Sequence, residues 1–257
     1  MITPPTPDPT IDGLAYLGRS HFGWSHPADE LIAGLNRVHS GWAITVATHP
    51  TGAAFPAAND QLLAAASDHR QLVPVARIDP WAERPVGEVS RVVRAGAKGV
   101  FLHPAEEHFR INDQVRVRPI LEAAAELDVP VMIAAGFHLM AEPLQLGEAA
   151  GWVPELPVVL TNGGQFNISG GSQFDVELVM EQNPNLHVHT TAMYRQDFLE
   201  RVVTRRGPDR LLFATAAPLF TMEFERARVD LMHVDATQRA LIMGGNAARI
   251  FGIGVTA

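Results

Sequence analysis

The chain has 257 residues, with 20 Lys and Arg against 28 Asp and Glu, 11 His and no Cys, so its formal net charge is −8. This acidic balance argues against a nucleic-acid partner and against an anionic membrane surface, because both need a basic face. The lack of Cys excludes disulfides, thiolate metal sites and a cysteine nucleophile. An apolar fraction of 47% is enough for a packed core.

The amino-terminal segment MITPPTPDPT has neither the basic region nor the apolar region of a signal peptide. Its four prolines predict an extended lead-in over residues 1–10. The longest apolar runs of the chain fall far short of the ~20 residues that a membrane helix needs. We therefore expect a cytoplasmic protein with no membrane segment.

Eight short runs rich in Val, Ile, Leu and Ala recur along the chain, as strands buried on both faces should. The predicted strands span residues 11–17, 42–47, 72–78, 99–102, 129–134, 157–160, 186–190 and 210–213. The predicted helices between them span residues 27–39, 57–69, 86–95, 115–127, 142–150, 173–181 and 196–206. Prolines near several helix starts and glycines after several helix ends support these bounds.

Eight strands that each precede a helix, with no break in composition, predict an α/β fold, a single (β/α)8 TIM barrel over residues 1–257. A doubly wound open sheet is the alternative, but its Gly-rich first turn (GxGxxG or GxxxxGK) is missing here. Residues 236–257 are predicted to hold closing helices, and the pair Gly244-Gly245 is expected to break the helix over 236–250.

In a barrel of this kind, function is located at the carboxyl ends of the strands. The candidate functional residues are therefore those that directly follow each predicted strand. They include Arg19, His21, His49, Asp79, His103, Asn162, Gln165, Thr191 and Thr215.

Segments spread over most of the chain carry a family resemblance. In chain order they are IDGLAYLG, HPADELIAGLNRVHSGW, VPVARIDP, GAKGVFLHP, RPILEAAAELDVPVMI, VVLTNGG, GPDRLLFATAAP and GGNAARIFGI. Together, by their order and spacing, they resemble the decarboxylase-like branch of the metal-dependent amidohydrolase superfamily, which includes aminocarboxymuconate semialdehyde decarboxylase. The resemblance implies a (β/α)8 barrel of the amidohydrolase type.

The resemblance also implies where a metal would be held: by a His-x-His on the first strand, a His that ends the fifth, and an Asp after the eighth. In this sequence those positions carry Leu14 and Tyr16, Ala134, and Ala216. A further family His, after the sixth strand, corresponds to Asn162. None of these residues is a good ligand for a divalent cation. We therefore expect no metal and no other cofactor at these positions.

Histidines provide the candidate acid–base residues, because their charge changes near neutral pH. His49 and His103 each end a strand; either could act as acid or base, or could instead hold the following loop by a hydrogen bond. His187 and His189 form the only His-x-His motif and share one face of a strand. They could hold a displaced metal together with His138 or His103, or lie hydrogen-bonded in a polar layer of the barrel. His189 is also an acid–base candidate.

Five further residues are candidates for binding a substrate. Arg19 and His21 could bind a carboxylate, or make a loop salt bridge or subunit contact instead. Asn162 and Gln165 could donate amide hydrogens to a substrate oxygen; the alternative is that the adjacent pair Gly163-Gly164 only provides the backbone freedom of a turn. Thr215 follows the eighth strand, and no His–Asp pair can be assigned to activate it as a nucleophile.

Two further features are assigned a passive role. We interpret Tyr16 as a side chain that fills volume inside the barrel rather than as a catalytic phenol, although it remains among the substrate-binding candidates. Glu106 and Glu107, with His108, are expected to be exposed in the loop after the fourth strand, where cation binding would be weak.

These observations leave two functions open. The first is a non-catalytic companion or regulatory subunit, a pseudoenzyme, that pairs with an active amidohydrolase or decarboxylase paralogue. The alternative is a metal-independent hydrolase or lyase that acts on a small carboxylated or cyclic substrate through His49, His103 or His189. We expect a homo-oligomer, or a hetero-oligomer with a related amidohydrolase-fold protein, that can also take a small-molecule ligand.

Overall fold

A computed structural model describes residues 10–165, 172–193 and 195–254. In this part of the chain the strands are β1 Ile11–Arg19, β2 Ser25–His26, β3 Trp42–Ala47, β4 Leu72–Arg77, β5 Val100–Leu102, β6 Val131–Ile133, β7 Val158–Leu160, β8 Leu186–His189 and β9 Leu211–Leu212. The helices are α1 Ala28–Arg37, α2 Phe55–Asp68, α3 Pro85–Arg94, α4 Arg118–Glu126, α5 Pro143–Gly151, α6 Ser172–Gln182, α7 Gln196–Arg206, α8 Met222–Asp230, α9 Ala236–Ala240 and α10 Asn246–Ile250. The predicted Pro-rich lead-in lies, except for residue 10, outside the described residues.

The strands form one curled sheet that closes on itself. β1 and β3 to β9 pair in parallel and in chain order, while β2 adds an antiparallel hairpin to β1. The chain just after β9 closes the barrel against β1, where the Ala216 N–H donates to the Leu14 carbonyl at 2.8 Å and the Tyr16 N–H to the Ala217 carbonyl at 2.8 Å. The predicted (β/α)8 barrel is thereby confirmed.

Proline and capping residues begin many of the helices. A proline occupies the first turn of α2, α3, α4 and α5, where its missing N–H costs nothing. Capping boxes begin α5 (Glu142 with Gln145) and α9 (Asp235 with Gln238). No helix in the described ranges is both long and apolar enough to cross a bilayer.

The carboxyl-terminal helices differ from the prediction in one respect. The expected break at Gly244-Gly245 is wrong, because Leu241–Gly245 forms a turn of π-helix that connects α9 to α10, and Gly245 keeps right-handed helical angles. A π-turn accommodates one extra residue without ending the helix. The glycine pair therefore widens the helix there.

Alternate residues of each strand face two different layers. One set packs inside the barrel and includes Leu14, Tyr16, Val75 and Phe101. The opposite set packs between strands and helices, as Leu17 does with Leu62 of α2. We call the end of the barrel where the carboxyl ends of the parallel strands meet the mouth.

Candidate functional site

The positions that the family resemblance assigns to metal ligands lie inside the barrel. Leu14, Tyr16, Ala134 and Ala216 belong to one buried apolar cluster and are 1%, 6%, 1% and 3% exposed. Asn162 is 8% exposed, and its side-chain amide donates to the Ala135 carbonyl at 3.2 Å. The interior at this level is therefore packed mainly by hydrocarbon.

Tyr16 fills the centre of this cluster. Its ring meets the edges of Trp24 at 6.1 Å and Phe101 at 6.2 Å between ring centroids. Burial raises the pKa of the Tyr16 phenol, and the negative charges of Glu106 and Glu107 raise it further. The phenol therefore stays protonated at neutral pH.

A buried arginine lies beside Tyr16 at the mouth. The Arg77 guanidinium lies between the rings of Phe55 and Phe101, at 5.8 and 5.6 Å from their centroids, and is fully buried. Its Nε donates to Glu107 Oε1 at 2.8 Å, its Nη2 donates to both Glu106 and Glu107, and its Nη1 donates to the Ala47 carbonyl at 3.3 Å. We call Tyr16, Arg77, His103, Glu106 and Glu107 the mouth cluster.

The expectation that Glu106 and Glu107 are exposed is wrong. Glu107 is 6% exposed, because Arg77 at the end of β4 draws both carboxylates inward. Burial alone would lower the pKa of Arg77, but the Glu107 and Glu106 carboxylates outweigh it and raise that pKa. Burial raises the pKa of Glu107 to about 7, although the Arg77 guanidinium lowers it. Sequence reasoning missed Arg77, whose only signal was a cation in an apolar strand.

His103 is a buried member of the mouth cluster. Its Nδ1 accepts a hydrogen bond from the Glu106 N–H at 3.2 Å, so the neutral ring carries its proton on Nε2, 3.6 Å from Glu106 Oε1. Burial and the nearby Arg77 lower the pKa of His103 well below its usual value. The ring therefore holds the loop that carries Glu106 and is neutral at pH 7.

His49 and His21 lie together at the rim of the mouth. Their ring centroids are 5.7 Å apart, and the His21 N–H donates to the His49 carbonyl at 2.8 Å. His49 also meets the ring of Phe55 edge-on at 5.2 Å, which connects this pair to Arg77. Burial and the Arg77 charge lower the pKa of His49.

His187 and His189 lie deeper, on the inward face of β8. Their neighbours Leu186 and Val188 pack outward against the helices, and His189 Nε2 lies so close to Gly13 that a Cβ there would be 3.1 Å from it. Burial lowers the pKa of each imidazole to about 3, so both are neutral. His187 Nδ1 lies 3.1 Å from the Asp209 carbonyl, whereas neither ring nitrogen of His189 finds a hydrogen-bond partner among the described residues.

The structure does not bring His138 to this pair. Its imidazole is on the surface, 2.7 Å from Glu142, and in the described ranges no three His, Asp or Glu side chains gather as a metal site.

Thr215 is engaged in closing the barrel. Its N–H and its hydroxyl donate to the buried carboxylate of Asp12 at 2.8 and 2.5 Å, and its oxygen accepts from the Ala217 N–H at 3.1 Å. Burial raises the pKa of Asp12 to about 6, against the hydrogen bonds from Thr215 and Leu14. Sequence reasoning missed Asp12, although a lone carboxylate within an apolar strand was a signal.

Two further candidates, Gln165 and Arg19, are not members of the mouth cluster. Gln165 is buried, and its Oε1 accepts from the Ser172 hydroxyl at 2.9 Å. Arg19 is exposed at the end of β1 and beside the start of α2.

Solved structures share this fold at low sequence identity. They include a 5-carboxyvanillate decarboxylase from Sphingomonas paucimobilis (14% identity, TM-score 0.75, covering 96% of this chain and 99% of that chain). A 2,6-dihydroxybenzoate decarboxylase from Rhizobium matches with 15% identity, TM-score 0.74 and coverage of 95% and 100%. A dihydroxybenzoic acid decarboxylase from a Polaromonas species, with bound manganese and the inhibitor 2-nitroresorcinol, matches with 15% identity, TM-score 0.77 and coverage of 97% and 98%.

No curated protein matches the chain. At these identities, the likeness to solved structures shows the fold alone. A family model described as Amidohydrolase, however, matches residues 22–253, which is most of the chain. The resemblance found in the sequence is thereby confirmed, and this chain belongs to the amidohydrolase family.

Proposed function

We propose that this chain is a non-catalytic companion or regulatory subunit of an amidohydrolase or decarboxylase relative that keeps its metal ligands. The observation that carries the proposal is the packing inside the barrel. Leu14, Tyr16, Ala134 and Ala216 stand where the resemblance assigns metal ligands, and they pack together in one buried apolar cluster.

These residues do not fit a divalent cation such as the manganese of the Polaromonas structure. The side chains of Leu14, Ala134 and Ala216 have no lone pair to donate. The raised pKa of Tyr16 keeps its phenol protonated at neutral pH, and the amide oxygen of Asn162 would be a single neutral ligand with no carboxylate or imidazole beside it among the described residues of this apolar cluster.

The surface around the mouth supports association with another protein. Phe22, Trp81, Val115, Leu139 and Leu219 lie in loops that follow the strands, and each is about half exposed or more. Large exposed apolar side chains that gather on one face mark interaction sites. We propose that the relative docks on this face, and we expect the association to occur in the cytoplasm.

Co-expression tests the proposal. The partner would be an amidohydrolase-family chain from the same genome that has His-x-His on its first strand and Asp after its eighth. We expect the two chains to co-elute in size-exclusion chromatography with light scattering, and the partner's rate to change. Separate elution with an unchanged rate would refute the companion role.

A pair of variants locates the interface. The double variant Phe22→Asp with Leu219→Asp places charge at the mouth. Leu178→Asp is the matched control, because Leu178 is 44% exposed in the middle of α6 and does not lie in a loop that follows a strand. We expect only the double variant to separate the two chains.

The mouth cluster favours a second candidate, a metal-independent hydrolase or lyase for a small carboxylated or cyclic substrate. It groups five ionisable side chains at the end of a barrel where such enzymes place their chemistry. The lowered pKa values of His49, His103 and His189 suit a base better than a cationic acid. Turnover of 2,6-dihydroxybenzoate or 5-carboxyvanillate in the presence of EDTA, lost in His103→Ala, would favour this candidate over the companion.

A further inference from the structure

A pocket lies outside the barrel interior, between the end of β1, the loop after β3 and the start of α2. Its volume is about 260 Å³, and its walls include Arg19, Thr48, Thr51 and Gln61 together with the apolar Leu17 and Leu62. Leu17 and Leu62 belong to the layer between strands and helices, whereas Leu14 and Tyr16 face the barrel interior. The pocket is therefore separate from the mouth cluster.

Thr48 is a buried polar side chain of this pocket. It is only 3% exposed, and its N–H donates to the Leu17 carbonyl at 3.0 Å. Its Oγ1 makes no hydrogen bond within the described part of the chain, and it points toward Gly18, another wall residue, from which an added Cβ would be 3.5 Å away. The hydroxyl is not among the fully enclosed atoms that lack a partner, so it is reached from the pocket and offers a donor that the protein itself does not use.

The pocket also has a positive character. Arg19 is its one charged wall residue, and the guanidinium makes no ion pair with any residue that the structure describes. The 14-residue helix α2 begins at this wall, its N-cap residue Ala54 provides no side-chain hydrogen bond, and Ala54 and Ala57 line the pocket. The amino end of a helix carries a partial positive charge that favours anions.

We propose that this pocket binds a small organic carboxylate. The Arg19 guanidinium pairs with the carboxylate, the Thr48 hydroxyl donates to one of its oxygens, and Leu17 and Leu62 contact the hydrocarbon part. A volume below the roughly 300 Å³ of the smallest drug-sized sites limits the ligand to a short acid. The apolar wall favours a carboxylic acid over inorganic phosphate. The site does not depend on the companion role proposed above.

Isothermal titration of the full-length protein with benzoate tests the site. Benzamide is the neutral isostere, and inorganic phosphate is the competing anion. We expect saturable benzoate binding, weaker binding of benzamide and weaker binding of phosphate. Absence of saturable benzoate binding, or tighter binding of phosphate than of benzoate, would overturn the carboxylate assignment.

Variants tie the binding to the pocket. Arg19→Gln and Thr48→Val should each raise the Kd for benzoate about tenfold or more, because each removes a hydrogen bond to a charged group. Arg70→Gln, on an exposed arginine in the loop after α2, is the matched control and should leave the Kd unchanged. Arg19 is exposed, so its variant tests the site even if Thr48→Val fails to fold. A wild-type Kd in Arg19→Gln would overturn the proposal.

Discussion

Arg77 is the residue on which the packing of the mouth depends most. It lies between two aromatic rings and pairs with the buried carboxylate of Glu107 and the partly buried carboxylate of Glu106. The sequence placed Arg77 in a strand but gave no sign of its partners. The alternation of apolar and polar residues along a strand indicates which face of the strand each residue lies on. It does not indicate which side chains of a loop 30 residues later contact that residue.

Replacing Arg77 by Met should lower the free energy of unfolding by about 3–5 kcal/mol, since the Glu107 carboxylate stays buried without its cation. Urea unfolding at pH 7 measures the change. Arg94→Met, on the exposed side of α3, is the control and should change stability by less than about 0.5 kcal/mol. Equal unfolding midpoints for Arg77→Met and wild type would show that the ion pairs do not hold the mouth together.

His189 gives a prediction with a defined pH direction. Its pKa is about 3 in the folded protein and about 6.5 when unfolded, so as pH falls below 6.5 the unfolded chain takes up the proton first. Its contribution to stability is therefore full above pH 6.5 and is lost as pH falls toward 3. When the pH is lowered from 7 to 5, this single imidazole should lower the free energy of unfolding by about 2 kcal/mol.

The variant His189→Leu removes two ring nitrogens that lack partners in the described structure. We expect it to equal or exceed wild-type stability at pH 7, by up to about 1 kcal/mol, and to lose about 2 kcal/mol less on acidification to pH 5. Urea unfolding at the two pH values measures both effects. His69→Leu, at the less buried end of α2, should keep the wild-type pH dependence. A variant with the same pH slope as wild type would mean that His189 is already protonated or solvated in the fold.

The strands and helices themselves were largely predictable, because each predicted strand is a short apolar run and several predicted helices have a signal at their start or end. Two elements were missed. β2 has two residues, too few to show a period. α8 buries Met222, Glu225 and Val229, and a carboxylate in the middle of that buried row hides the apolar stripe that predicts a helix.

The closure of β1 onto the chain after β9 depends on a glycine. A Cβ on Gly13 would lie 2.6 Å from the backbone oxygen of Phe213, which accepts a hydrogen bond from the Gly13 N–H at 2.9 Å. The contact is with backbone, so relief requires the two segments to move apart. Gly13 therefore lets β1 and the end of β9 approach closely enough to bond.

Replacing Gly13 by Ala should destabilise the protein by about 1–3 kcal/mol, as overpacking in a closed core does. Chemical unfolding measures the loss. Gly41→Ala is the matched control, because the nearest atom to its added Cβ is 3.9 Å away, and it should be close to neutral. If Gly13→Ala were as stable as Gly41→Ala, the close approach of the two segments would not be needed for closure.

For the whole molecule, sequence reasoning predicted the fold more completely than it identified the side chains that gather at the mouth. It predicted the fold and the end of the barrel at which the candidate residues lie. At this end, Tyr16 and His103 both contact the ring of Phe101. It did not predict Arg77, Glu107 or Asp12 as buried groups. Charged residues are usually exposed, and only the three-dimensional arrangement shows that these three find partners inside.

Inside the barrel, hydrocarbon side chains pack at the positions that the family resemblance assigns to metal ligands, and on this packing the proposed loss of the metal depends. Dialysis against manganese or zinc, gel filtration to remove the free ion, and elemental analysis of the protein test it most directly. We predict a metal content far below one equivalent per chain. One equivalent of tightly held metal per chain, together with a change in the surroundings of Tyr16 or Asn162 when the metal binds, is the result that would contradict this prediction.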